Sequence, residues 1–246
     1  KILSELKKKS EKEPDNYSEF WSTFGSVLKE GLYEDFENRE KLLEIVKFNT
    51  TNSDNLVSLD EYVTRMKPGQ EAIYYITGED AAQTSLSPQL EGFKAKKVEV
   101  LLLTDPVDEF WVTSVGQFQE KSFKSATRGG ADLSDISENK DKDETKKNKN
   151  KKHSSIDPLL AAFKTALGDK VKDVRVSERL TNSPVCLVAD DGDMDIHLER
   201  LLKQHKQVGG NTPRVLEVNP SHTLVKQLTK IAKSSSGPDT SIEDAA

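Results

Sequence analysis

The densest group of potential metal ligands is Asp190, Asp191, Asp193 and Asp195, set around Gly192. A calcium loop needs its glycine at a fixed offset and a bidentate glutamate to close it; here the glycine is misplaced and no glutamate stands at the closing position. Capping of the helix that comes next is the better account of these aspartates. His197 and His205 stand eight residues apart, too far for a shared metal without further ligands, and read as surface histidines. Cys186 is the single cysteine, which excludes an intrachain disulfide and a multi-thiolate site. Its neighbours Val185, Leu187 and Val188 make it a small buried hydrophobe rather than a nucleophile. No GxSxG, GxGxxG or P-loop pattern occurs, and the Gly78-Glu79 turn is at most a weak anion site. Nothing assembles acid, base and nucleophile, so no catalytic residue, metal or cofactor is expected within these residues.

Two apolar groups carry more information. Met194, Leu198, Leu201 and Leu202 follow at i, i+4, i+7 and i+8, one face of a helix expected over residues 193–205. Either that face packs on its own sheet, or it is an exposed, adaptable surface, for which Met and Leu suit varied partners. Phe110, Trp111 and Phe118 pose the same choice between core filler and surface patch.

The elements that must position these groups follow from pattern. Residues 72–76 and 98–103 are continuous apolar runs, as strands buried on both faces require. The segment 78–97 between them is long enough for a crossover helix, so a βαβ unit is expected. Ahead of it, residues 1–12 read as the tail of a helix begun upstream. A helix capped by Asp15 should bury Phe20, Trp21, Phe24, Val27 and Leu28 and end at Gly31. Leu42, Leu43, Ile45 and Val46 form a second stripe, closed by a polar loop at 49–54. Ser58 and Glu61 make a capping box before a short helix. Asp105-Pro106 opens a helical turn leading to Phe110-Trp111. Between 137 and 152 almost every residue is polar, which marks a boundary, with either a solvated helix or a mobile linker there. Beyond it, a helix from Asp157-Pro158 ends at Gly168. Strands at 171–176 and 185–189 are joined by a turn at 181–184. The 193–205 helix, a strand at 214–218 and a last helix after Asn219-Pro220 complete an α+β domain with a small sheet.

With 246 residues, two cores are plausible. Charged residues make up 32% but nearly balance, at net −6, so the basic stripe of a nucleic-acid protein is missing. No apolar run approaches a membrane span, and no apolar h-region with a cleavage site stands at the start of the sequence, so a soluble, cytoplasmic protein is expected. The start at Lys1 without methionine and the stop after a Ser-Gly-Pro stretch read as cuts from something longer.

Five strings then carry a resemblance: FWSTFGSVLKEGLYEDFENREKL at 20–42, YVTRMKPGQEAIYYITGE at 62–79, VEVLLLTDPVDEF at 98–110, VKDVRVSERLTNSPVCLV at 171–188 and EVNPSHTLVK at 217–226. From about residue 17 to 230 the chain resembles the bacterial type of the ninety-kilodalton heat-shock protein family, ATP-dependent chaperones that assist the folding of non-native proteins under stress. The resemblance implies a fold of mixed class, α/β and α+β: a helical start and a βαβ-containing middle subdomain, then an α+β C-terminal domain. It implies the tail of an upstream helix at 1–15, the latter part of the middle domain at 16–127 and a charged connection at 128–155. A truncated C-terminal dimerisation domain at 156–233 and a tail at 234–246 complete the division. It places ATP and Mg in an N-terminal domain outside these residues, with the arginine that meets the ATP phosphate also upstream. It implies that Met194, Leu198, Leu201, Leu202, Phe110 and Trp111 contact non-native clients, which favours the surface reading. The family forms a homodimer through terminal helices absent here, so a monomer or weak dimer is expected. The Lys-Asn-rich 137–152 segment departs from the family, which has a helix there. The competing expectation is a small α/β enzyme domain holding a nucleotide or phosphate at the Gly78 turn; a purely structural module, with the Met194 face buried, is the third.

Overall fold

The computed structural model describes residues 1–129, 133, 136, 156–210 and 212–234. The segment 137–152 therefore lies outside the described residues. By the density of their contacts, residues 1–86 with 97–126 form one unit, and residues 87–96 with those from 127 onward form another.

The first unit opens with α1 (Ile2–Lys12), α2 (Pro14–Glu34) and α3 (Arg39–Leu43). Asp15 does not cap α2. Pro14 takes the first helical position, where its missing N–H costs nothing, and Asp15 falls in the first turn. Gly31 does not end the helix either. It lies inside α2, and a β-carbon there would meet the Leu42 side chain at 2.8 Å, so glycine permits close approach to α3. The buried arc of α2 is Tyr17, Trp21, Gly25, Lys29 and Leu32, rotated from the expected stripe, which leaves Phe24 and Val27 exposed.

The hairpin β1 (Phe48–Thr50) and β2 (Ser53–Val57) replaces much of the loop expected at 49–54. The Ser58–Glu61 capping box forms as expected and starts α4 (Leu59–Thr64). Next come β3 (Ala72–Thr77), buried at every position, α5 (Ala81–Ser85) and β4 (Leu101–Leu103), parallel to β3. The crossover is not one helix. After α5 it contains a 3-10 turn at Pro88–Leu90 and α6 (Glu91–Ala95), because Ser87-Pro88 breaks and restarts the helix; both are counted with the second unit. Then α7 (Asp108–Val115), β5 (Gln117–Phe118) and β6 (Lys121–Ser125) complete a six-stranded sheet of order β2-β1-β4-β3-β6-β5. Pro106 is not the first helical residue: residues 105–107 form a turn, and Asp108 begins α7. Glu99, a charge in an apolar run, is buried because Arg65 binds it at 2.8 and 3.0 Å.

The second unit contains α8 (Asp157–Leu167), ended by Gly168 at φ +50, then β7 (Val171–Val176) and β8 (Val185–Val188). After these come α9 (Ile196–Gln204), β9 (Arg214–Val218) and α10 (Thr223–Ser234). Although the 181–184 turn connects them, β7 and β8 do not pair. β9 lies between, parallel to β7 and antiparallel to β8. One face packs Val174 and Val218 against Leu159, Phe163, Val225 and Leu228 of α8 and α10. Leu180, Cys186, Val188 and Val215 form a smaller cluster.

Candidate functional site

In the second unit, α9 starts two residues later than the Met194 stripe requires. Asp195 is its N-cap, accepting from the His197 amide at 3.1 Å, so Met194 precedes the helix and is not on its face. Asp195 is itself held by the Thr127 hydroxyl at 2.7 Å. Of the nine residues in α9, the fully buried one is Glu199, a carboxylate. It accepts from the Thr212 amide at 3.0 Å and from Lys203 at 2.7 Å, and it pairs closely with the Arg214 guanidinium. Arg214 also donates to the Met194 carbonyl at 2.6 Å, tying the chain before the helix to β9. Burial pushes the Glu199 carboxyl up, but hydrogen bonds from Lys203 and Thr212 and the charge of Arg214 outweigh it and hold it at about 2. Ion pairing thus seats the helix, while Leu198, Leu201, Leu202 and Met194 stay half-buried.

In the first unit, the two members of the Phe110-Trp111 pair part company. Trp111 is completely buried, tilted against Phe48 and edge-on to Phe123, and its indole N–H donates to Asp108 at 2.6 Å. It is core filler, which corrects its expected place on a surface patch: successive helical residues point about 100° apart, and the core takes the second. Phe118 likewise packs on this core. Phe110 is 38% exposed, with its ring 6.1 Å from that of Tyr33.

Between α2 and the start of α7 lies a charge network that sequence reading missed. Lys29 reaches Asp105 at 2.8 Å and Asp108 at 3.1 Å, and its ammonium sits 4.9 Å from the Phe48 ring centre. Asp108 also accepts from the Asp105 amide at 3.0 Å. Burial raises the Asp108 carboxyl above the ordinary aspartate range, against the pull of Lys29 and the Trp111 N–H. The available signal was a lone lysine on the apolar side of α2.

The remaining candidates are engaged in internal contacts. Lys172 lies 2.9 Å from Asp190 and 3.1 Å from Asp193, so two of the four aspartates bind a lysine and a third caps α9. Among the described residues no group of His, Cys, Asp and Glu could hold a metal. A β-carbon at Gly78 would meet the Thr84 hydroxyl at 2.0 Å, so the turn is filled by its own helix α5. Burial, then the charge of Glu217, pushes the Cys186 thiol up to about 12, leaving it protonated. Among the described residues no helix is long and apolar enough to cross a membrane.

Comparison with known proteins adds the rest. The family model described as Hsp90 protein matches residues 1–246. Chaperone protein HtpG of Roseobacter denitrificans is 52% identical, covering 100% of this chain and 40% of its own length. HtpG of Paramagnetospirillum magneticum is 53% identical over 100% of this chain and 39% of its own. HtpG of Wolbachia pipientis is 44% identical over 99% and 38%. A solved middle domain of a Plasmodium falciparum heat shock protein is 36% identical, with a TM-score of 0.48, covering 51% of this chain and 53% of that one. The chain thus spans about two fifths of the length of the curated relatives.

Proposed function

Because the chain belongs to the Hsp90 family, we propose that it carries client-binding surfaces of an ATP-dependent chaperone that assists the folding of non-native proteins. The mechanism is reversible burial of exposed apolar segments of clients against Leu198, Leu201 and Leu202 of α9, with Met194 beside them, and against Phe110. One observation carries this reading: Glu199, and no leucine, is the fully buried residue of α9. A helix held by an ion pair leaves its leucines available.

In this proposal residues up to about 126 serve as the latter part of the middle domain, and those from about 156 as the C-terminal dimerisation domain. ATP and Mg binding and hydrolysis belong to parts of the longer, cytoplasmic protein outside these residues, and the chain alone is a monomer or weak dimer.

The test is a fluorescence titration of an unfolded client with the chain and with a Leu198→Glu, Leu202→Glu double variant whose circular dichroism is unchanged. The parent is expected to bind, with or without Mg-ATP, and the variant at least about tenfold more weakly. Equal binding by both would overturn the assignment, and an ATP-induced thermal shift would overturn the placement of ATP. A sedimentation mass of two protomers at low micromolar concentration would contradict the monomer.

A further inference from the structure

Phe36 is the most exposed aromatic residue recorded in the first unit, at 70%, and it is not isolated. The Arg39 guanidinium lies over its ring at 4.3 Å, donates to the Leu32 carbonyl at 2.8 Å and reaches Ser114 of α7 at 3.0 Å. The end of α2, the turn after it and α7 are thereby joined by one side chain. On the same join, Tyr33, 48% exposed, meets Phe110. Three exposed rings on two helices and a turn make an apolar area that water solvates poorly.

The charges around it are mostly negative. Glu30, Glu34, Asp35, Glu37 and Glu40 outnumber Arg39 and Lys41 in this stretch, and Arg39 is occupied by its internal bonds. Glu34, Asp35, Glu37 and Glu40 are exposed. Asp35 is kept ionised because the Asn38 side chain and amide donate to it, at 2.8 and 3.1 Å.

We infer that Tyr33, Phe36 and Phe110 form one docking surface for unfolded segments whose apolar residues are flanked by lysine or arginine. The inference rests on the client-binding reading above and adds the class of segment. Rings bury the apolar part, and the carboxylates of Glu34 and Glu37 meet the flanking cations, which speeds encounter and excludes acidic segments.

The test uses two fluorescent peptides with the same leucine- and phenylalanine-rich centre, one flanked by lysines and one by glutamates, titrated against the whole chain. The lysine-flanked peptide is expected to bind about fivefold more tightly, the effect of two or so exposed ion pairs, and the gap should close as salt is raised. Phe36→Ser, at a position outside the core, should weaken both peptides. Glu34→Lys with Glu37→Lys should abolish or reverse the preference. An absence of preference in the parent, or unchanged binding by Phe36→Ser, overturns the inference. Failure of an unfolded client to bind the chain at all sinks the client-binding reading; client binding without any preference between the peptides sinks this inference alone.

Discussion

A carboxylate removed from water is stable only where donors replace its lost hydration, and Glu199 has Lys203, Thr212 and Arg214 for that purpose. Its folded-state value near 2 lies below the ordinary glutamate value of 4.5, so its contribution to stability is present above about pH 4.5 and lost as pH falls through 2. The stability gap between the parent and Glu199→Gln, read from denaturant midpoints, should therefore shrink by roughly 3 kcal/mol between about pH 5 and about pH 2. A gap independent of pH would mean that the ion pair does not hold α9. Phe110 and Trp111 divide surface from core by one position. Trp111→Ala should cost about 3–5 kcal/mol of stability, since it empties a filled site and strands Asp108. Phe110→Ala should cost about 1 kcal/mol or less while weakening client binding. Denaturation and titration of both variants check this, and a severe stability loss at Phe110 would contradict it.

At the scale of elements, what could be read from sequence was what local spacing decides. The Ser58–Glu61 box needs only two partners three residues apart, and β3 needs only an unbroken apolar run. The β1–β2 hairpin stayed hidden because its strands carry Asn49, Asp54 and Asn55; its partner is distant, with the Thr51 amide bound to the Val100 carbonyl at 3.0 Å. Gly31 looked like a stop because the approach of α3 to α2 is tertiary. For the candidate surface, the leucines of α9 were legible, but the way the helix is seated was not. It depends on Glu199 meeting Arg214, fifteen residues on in another element. Trp111 was misassigned for a related reason: adjacency in sequence says nothing about which of two helical residues faces the core.

Across the described residues, two units each combine a small sheet with helices; the first leaves Tyr33, Phe36 and Phe110 exposed, and the second leaves the α9 leucines half-buried. Family membership is shown over all 246 residues, while the relatives extend well beyond them. In the proposed function, α9 is docked by charge and its leucines bind clients. The most direct measurement is a methyl NMR titration of the chain with an unfolded, non-aggregating client, with leucine methyls assigned. Shifts concentrated at Leu198, Leu201 and Leu202, with core methyls such as Leu101 and Leu159 unmoved, are the result expected. Binding that leaves the three α9 leucines unperturbed would contradict the claim.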